Sequence, residues 1–399
     1  MSWEKLKIQD FAEVVTGGTP STTVKEYWSN GTIPWLNSGA LNEDTVIKSE
    51  NYITKLGLEN SAARIMPKDT VLIALTGTTT GVVGYLTIEA CANQSVTGIL
   101  PSKKHYPKYL YYYLKSVRKK ILHDSYGGAQ KHISQGYVKN IEVTLPSLPT
   151  QKRIAEILDA ADALKRKDQE LLKKYDDLAQ AIFIDMFGDP VRNEKRWEMK
   201  RLKEISTKIH SGNTPKGGSN VYVKKGITFF RSQNVWKNNL VYDDIAFIDE
   251  KTHLSMMKSS LKHKDILMTK TGRINTENSS LGRAALFLGE DDSANVNGHV
   301  YLIRLQKKQV HEFVVHILTT KEYRGLIRDV CVGGIDKRQL NKDHIEDFPI
   351  IYPPIIEQQK FAKYIKDIQI QKQKAEESAK KSEFIFNSLI QKAFKGEIV

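Results

Sequence analysis

Cysteines, long apolar runs and an apolar leader are scarce or missing in this 399-residue chain. Cys91 and Cys331 are its only cysteines, which excludes a disulfide framework and fits a reducing compartment. No apolar run approaches the roughly 18 residues that a membrane helix needs, and the segment MSWEKLKIQDF lacks the apolar core of a signal peptide. We therefore expect a cytoplasmic protein with no membrane partner.

Recognisable catalytic motifs are missing as well. There is no GxGxxG and no Walker loop, and the Gly/Thr-rich stretch at Thr76 has neither the lysine nor the following helix of a phosphate-binding loop. No Asp/Asn-Pro-Pro-aromatic tetrapeptide occurs, which argues against an adenine-methylating active site. Glu198-Met-Lys200 lacks the clustered carboxylates of a nuclease, and no Cys/His spacing fits zinc. The expectation is a chain with no catalytic residues, no metal and no cofactor.

Positive charge is what the chain has in excess. Its 60 Lys and Arg residues outnumber 46 Asp and Glu residues, for a net charge of +14. Residues 1–149 contribute +4 and residues 188–356 contribute +8, so most of the excess lies in two long segments. A polyanionic partner is the usual reason for such a bias, although a generally basic protein without nucleic acid remains the alternative.

The two halves of the chain repeat each other in order. WEKLKIQDFAEVVTGGTP at Trp3 is echoed by WEMKRLKEISTKIHSGNTP at Trp197, and PSLPTQKRIAEIL at Pro146 by PPIIEQQKFAKYI at Pro353. Between them, KDTVLIALTG matches KDILMTKTG, NQSV matches NGHV, and YGGAQKHIS matches VGGIDKRQL. Such ordered similarity indicates duplication of one unit. The predicted domains are 1–149, 150–190, 191–352 and 353–399.

Each duplicated unit combines a globular half with a long helix. Short β-rich runs alternate with Gly, Thr and Asn turns and a few helices in each half, which predicts a mixed α+β fold. From Thr150 to Phe187 apolar residues recur every three or four positions, and from Glu357 to Phe394 the same register continues with a small and polar middle at Gln371, Ala375, Ser378 and Ser382. The predicted stripe includes Leu164, Leu171 and Leu178. Two equal amphipathic helices, each about 57 Å long at about 1.5 Å per residue, are expected to pack as an antiparallel coiled coil about a pseudo-twofold axis.

Polar residues in equivalent loops of the two halves are the candidates for reading DNA. Arg and Lys pair with guanine, Asn and Gln with adenine, while hydroxyls and cations position phosphates. The candidates of the first half are Thr78, Thr79, Thr80, Asn93, Gln94, Gln130, Lys131, His132 and Ser134. Those of the second half are Arg231, Ser232, Gln233, Asn234, Lys270, Arg273, Asn275, Asn297, His299, Lys337 and Arg338. The same scaffold with different loop residues is what two different half-sites require.

The whole chain resembles the specificity subunit of type I restriction–modification enzymes. The resemblance rests on the openings VVTGGTPSTTVKEYWSNGTIPWL and IHSGNTPKGG, on the two helix starts P-x-x-x-x-Q-x-x-(I/F), and on the helix ends IFIDMFGDP and SLIQKAFKGEIV. The helix caps match at Gln151 and Gln358, although Thr150 stands where Glu357 has the acid often found in the family. The order matches as well: target-recognition domain, conserved spacer helix, target-recognition domain, conserved spacer helix.

The resemblance implies a non-catalytic subunit that binds a bipartite, asymmetric site in double-stranded DNA. Each recognition domain would read one half-site, and the helices would set the spacing and dock two methyltransferase subunits. Those partners would use S-adenosylmethionine to methylate adenine N6. Restriction/translocase subunits would add ATP- and Mg-dependent translocation and cleavage.

Two other functions remain open from the sequence. The chain could serve a methyltransferase-only system, or it could be a coiled-coil scaffold whose positive charge is incidental. The scaffold predicts no salt-sensitive DNA binding, whereas DNA recognition predicts an affinity that falls steeply with salt.

Overall fold

The computed structural model describes residues 3–128, 131–274, 278–334 and 337–398. The chain forms two compact units. The first contains residues 1–170 and 376–399, and the second contains residues 171–375. Each long helix therefore contributes one half to each unit, a division that differs from the sequence blocks. Within the described ranges, no helix is long and apolar enough to cross a membrane.

The first unit is built on an antiparallel sheet with one added parallel strand. Its strands, in order across the sheet, are Val14–Thr16, Val96–Ile99, Val71–Ala74, Val83–Leu86 and Thr45–Val46. A three-stranded sheet follows the order Asn51–Ile53, Ile33–Leu36 and Cys91–Ala92, and Glu4–Lys7 pairs with Glu142–Leu145. The short helices are Ile8–Phe11, Lys55–Glu59, Pro107–Ser116, Arg118–Asp124 and Gln135–Lys139, with 3-10 turns at Lys25–Tyr27, Ser38–Glu43 and Gly77–Thr79.

The second unit repeats this plan. A four-stranded antiparallel sheet runs Ser206–Ser211, Val300–Leu305, Ile266–Thr269 and Ala284–Leu286, and a three-stranded sheet runs Ala246–Ile248, Ile227–Phe230 and Ala294–Val296. Smaller sheets join Met199–Arg201 to Pro349–Ile351, Val235–Trp236 to Asn239–Leu240, and Thr271–Gly272 to Arg338–Gln339 and Val332–Gly333. The short helices are Glu250–Ser255, His311–Thr319, Lys321–Val330 and Lys342–Glu346, with 3-10 turns at Leu202–Ile205, Gly218–Val221, Ser232–Asn234 and Met257–Ser259. The matching sheet orders confirm the duplication.

The long helices span Leu148–Phe187 and Ile355–Ala393, close to the predicted limits. In the first unit, Asp168 accepts a hydrogen bond from Ser378 and the Lys165 ammonium lies 4.4 Å from the Phe386 ring centre. In the second unit, Asp176 pairs with Lys372. In these contacts, the residue numbers rise along the first helix as they fall along the second. The predicted antiparallel pairing is therefore confirmed within each unit.

The buried face of each long helix differs in part from the predicted stripe. Leu164, Leu171 and Leu178 are 40–48% exposed, so the stripe was wrong at these positions. The buried or half-buried seam of the first helix instead follows 151, 154, 158, 161, 165, 168, 172, 175, 179, 182 and 186, and the second helix repeats it 207 residues later. Steps of three and four define a heptad seam. The sequence pattern gave the wrong buried positions because apolar residues also occur on the exposed flank of the helix.

The repeated glutamine at the start of each long helix fastens the helix to its own globular half. Gln151 Nε2 donates to the Pro146 carbonyl oxygen, and Gln358 Nε2 donates to the Pro353 carbonyl oxygen, both at 2.8 Å. Gln151 Oε1 also accepts from the Tyr106 amide at 2.8 Å. Gln358 Oε1 is buried, and no described residue donates to it. The spacing P-x-x-x-x-Q is thus the spacing that this hydrogen bond requires.

Replacing Gln151 by Leu is expected to lower the free energy of unfolding by about 2–3 kcal/mol, since a buried carbonyl and a partly buried amide both lose their partner. Gln358→Leu is the matched control. It removes one hydrogen bond and also an unpaired buried oxygen, so its cost is expected to be smaller. Urea unfolding of both variants measures the difference, and equal costs would contradict the assigned hydrogen bonds.

Candidate nucleic-acid interface

Three loops meet at one end of the large sheet in the first unit. The Leu75 amide donates to Ser95 at 2.8 Å, and the Ile133 amide donates to Leu75 at 2.9 Å. Gly77 N–H donates to the Lys131 carbonyl at 3.1 Å. These bonds hold the loop after Leu75, the turn at residues 93–95 and the two hairpin arms, residues 126–128 and 131–133, against one another. The predicted residues that the structure describes in the first half therefore belong to loops that contact one another.

The second unit joins the equivalent loops with equivalent hydrogen bonds. The Lys270 amide donates to His299 at 2.8 Å, and the Leu340 amide donates to Lys270 at 2.9 Å. The hairpin differs in length, because Tyr126 faces His132 in the first unit whereas Val332 faces Gln339 in the second. The second hairpin is one residue longer, so Gln339 occupies the place of His132.

The candidates of the first half differ in accessibility. Thr78, Gln94, Lys131 and Ser134 are exposed, and Thr79, Asn93 and His132 are half-buried. Thr80 is 1% exposed, and its hydroxyl donates to the carbonyls of Gly77 and Lys131. Ser134 caps the helix Gln135–Lys139 by accepting from the Tyr137 amide. Gln130 lies outside the described residues.

Several of these side chains have structural partners within the loops. Asn93 Oδ1 accepts from the Ser95 amide, Gln94 Oε1 accepts from the Thr19 hydroxyl, and Thr79 donates to the Thr76 carbonyl. The His132 ring stacks on Tyr126, which is 64% exposed. An exposed aromatic ring beside a histidine and a lysine suits contact with a nucleotide.

The candidates of the second half divide in the same way. Gln233, Arg273, His299 and Lys337 are exposed, whereas Arg231, Ser232, Lys270 and Arg338 are half-buried. Asn234 and Asn297 are 0% and 9% exposed. Their side-chain oxygens accept from the amides of Arg231 and His299, so these two asparagines shape the loops. Asn275 lies outside the described residues.

The carboxylate of Asp244 binds two side chains of the turn at residues 231–234. Nη2 of Arg231 and Nε2 of Gln233 both lie 3.0 Å from Oδ2 of Asp244. The turn joins the loop surface because the Asn297 amide donates to Phe230. Arg338 donates to the Cys331 carbonyl, which anchors one side of the hairpin. This edge of the loop surface therefore combines the guanidinium of Arg231 and the amide of Gln233 with the exposed carboxylate of Asp244.

Sequence reasoning missed several residues that border the two surfaces. The Asn93 amide donates to Leu36 as the Asn297 amide does to Phe230, so exposed Asn37 takes the place of Arg231. The exposed cations Arg118, Lys119 and Lys120 begin the helix that packs on Gly81. In the sequence, the run of three consecutive cations was the signal that could have identified them.

A match to a protein-family model identifies the family of the chain. The model described as "Type I restriction modification DNA specificity domain" matches residues 1–174 and again residues 194–383. The chain belongs to this family. The two matches repeat the duplication seen in both the sequence and the fold of this specificity protein.

Relatives of the specificity family match either nearly the whole chain or one half of it. The type I restriction enzyme MjaIX specificity subunit of Methanocaldococcus jannaschii is 29% identical over 387 residues, which cover 90% of this chain and 85% of that protein. The EcoR124I/EcoR124II specificity subunit of Escherichia coli is 29% identical over 169 residues, or 41% of this chain and 42% of that protein. The crystal structure of the type I restriction-modification S subunit from M. genitalium covers 98% of this chain and 96% of its own, with a TM-score of 0.59 at 16% identity. This last likeness shows the shared fold.

Proposed function

We propose that this specificity protein is the DNA-recognition subunit of a type I restriction–modification complex, in which each unit reads one half of a bipartite, asymmetric duplex site. One observation carries the proposal. The backbone hydrogen bonds that assemble the loop surface are the same in both units, while the side chains exposed on it differ. Gln94 and Lys131 stand in the first surface, and Arg273, His299 and Lys337 stand in the second. The same backbone framework with different exposed side chains suits two half-sites of different sequence.

The long helices would hold the half-sites at a set spacing and dock two methyltransferase subunits. Large apolar side chains are exposed along them, among them Leu171, Leu178, Ile356 and Phe384, and a docked subunit would cover them. The docked subunits would use S-adenosylmethionine to methylate adenine N6. Restriction/translocase subunits would supply the ATP- and Mg-dependent steps. Affinity purification of the full chain from its host distinguishes this complex from a methyltransferase-only system.

Exchanging the first globular half is expected to change one half-site only. A chimera takes residues 1–145 from a relative with another target and keeps residues 146–399. Tyr109, Tyr112 and Tyr113 are retained, because Tyr112 donates to Asp159 at 2.6 Å and the other two rings pack on Phe394. Methylome sequencing of a host that carries the chimera and its methyltransferase reads the outcome directly.

The wild-type chain is the control in that experiment and is expected to yield a bipartite N6-methyladenine motif. A chimera that alters both half-sites would contradict the assignment of one half-site to each unit. A wild-type chain that supports no sequence-specific methylation would overturn the proposed function itself.

A further inference from the structure

A polar depression in the second unit lies beside the loop surface. It has a volume of about 330 Å³ and is lined by Thr271, Gly272, Arg273, Asn278, Ser280 and Lys337, among others. Between the equivalent glycines, the first unit has only Thr78, Thr79 and Thr80, of which Thr80 is buried. The second unit has nine residues between Gly272 and Gly282, and Arg273, Asn278 and Ser280 of this longer loop line the depression.

One wall of the depression is held closely against the strand Thr271–Gly272. The Ser280 hydroxyl donates to the Thr271 carbonyl at 2.8 Å, and the Leu281 amide donates to Ser279 Oγ at 3.1 Å. A Cβ added at Gly272 would overlap the Leu281 amide nitrogen and the hydroxyl oxygens of Ser279 and Ser280. The hydroxyl-bearing wall therefore has a defined position.

Two buried arginines support this wall from behind. Arg283 and Arg324 are each 7% exposed. Nε of Arg283 donates to the Ser279 carbonyl at 3.0 Å, and Nη1 of Arg324 donates to the Leu281 carbonyl at 3.4 Å. The Arg283 guanidinium also lies 3.8 Å from the ring centre of Trp236. Both arginines thus bind the loop through backbone oxygens.

None of these partners is an acid. Across the described ranges, neither Arg283 nor Arg324 has a carboxylate within ion-pair distance. Burial, and then the nearby Arg328 and Arg283, lowers the pKa of the Arg324 guanidinium. Arg273 and Lys337 add two exposed cations at the rim. Two cationic side chains at the rim of a polar depression are groups that bind a phosphate.

We propose that this depression binds one phosphate of the DNA backbone, with Arg273 and Lys337 as its direct ligands and with Arg283 and Arg324 as positioning residues. The proposal rests on the proposed function and deepens it, because it separates a sequence-independent anchor in the second unit from the groups that read bases. A phosphate contact sets the register of a protein on the duplex without carrying sequence information.

The test measures how the dissociation constant of the methyltransferase-bound full chain depends on salt. One duplex carries the motif found by methylome sequencing, and an unrelated duplex of equal length serves for comparison. Losing one phosphate contact lowers the slope of log affinity against log salt by about 0.9. We expect Arg273→Ala/Lys337→Ala to lower the slope by that amount on both duplexes, and Arg273→Lys/Lys337→Arg to retain the wild-type slope.

Lys307→Ala/Lys308→Ala is the matched control for lost charge. Both lysines are exposed and lie beyond the far end of the strand Val300–Leu305, roughly 20 Å from His299 at about 3.3 Å per residue. This variant is expected to keep the wild-type slope.

The possible outcomes separate the two proposals. A wild-type slope in Arg273→Ala/Lys337→Ala, or a loss confined to the cognate duplex, would overturn the phosphate site while leaving DNA recognition intact. Equal slope changes in the control pair would overturn it as well. Absence of salt-dependent binding by the wild-type complex would instead overturn the proposed function.

Discussion

Replacing Arg304 by Met is expected to lower the free energy of unfolding of the second unit by about 3–5 kcal/mol, since it leaves a buried carboxylate without its cation. Asp265 is 1% exposed. Nε and Nη2 of Arg304 lie 2.9 and 2.7 Å from its two carboxylate oxygens, a bidentate pair between neighbouring strands of the sheet. The Lys262 amide is a further donor at 2.7 Å but carries no full charge.

The control for Arg304 is an exposed ion pair of the same unit. Arg201 and Asp347 lie 3.1 Å apart with side chains 59% and 52% exposed, so Arg201→Met is expected to cost at most about 1 kcal/mol. The double variant Asp265→Asn/Arg304→Met should recover part of the loss, because it removes the stranded charge and keeps an acceptor for the Lys262 amide. Guanidinium unfolding measures all three. An equal loss in the single and double variants would contradict the charge argument.

Replacing Phe361 by Ala is expected to cost a similar amount, about 3–5 kcal/mol, because a buried aromatic ring is lost and a cavity remains. Phe361 is 0% exposed. Its ring centre lies 5.4 Å from Phe183 and 5.6 Å from Phe187, both on the other long helix, and 4.9 Å from His316. Burial lowers the pKa of His316 to about 4, so this histidine is neutral near pH 7 and packs as an aromatic ring.

Phe384→Ala is the matched control for Phe361→Ala. Phe384 belongs to the same helix and is 74% exposed, so its truncation is expected to change stability by about 0.5 kcal/mol or less. Hydrogen exchange localises the effect, because faster opening in Phe361→Ala should concentrate in residues 171–375. A comparable loss in Phe384→Ala would show that helix propensity, and not the aromatic cluster, determines the result.

The features that could be predicted from the sequence are those carried by local spacing. The two proline–glutamine helix starts, the alternating β runs and the long segments free of Pro and Gly locate the helices and the repeat. Aligned glycines and asparagines also located the loops that come together. These signals work because turn chemistry and helix capping depend on neighbours within a few residues.

The accessibility of individual loop residues could not be predicted in this way. Thr80 is buried because its hydroxyl meets the Lys131 carbonyl, 51 residues away, and Asn234 is buried because it accepts from Arg231 and donates across the turn to Val241. A polar residue that shapes a loop and one that faces solvent look alike in sequence. For the same reason Arg283 and Arg324 went unnoticed, since only the fold brings them behind the loop.

The shared long helices have a consequence for synthesis on the ribosome. The core of the first unit contains Phe386, Ile390 and Ala393 together with Ile154 and Leu158. The first unit therefore cannot complete its core until residues 386–393 have been made, after all of residues 171–375 of the second unit. The unit whose translation begins first is thus the last to complete its core. A chain truncated near residue 375 would keep the entire second unit while exposing the apolar interior of the first, which makes it a substrate for chaperones and proteases.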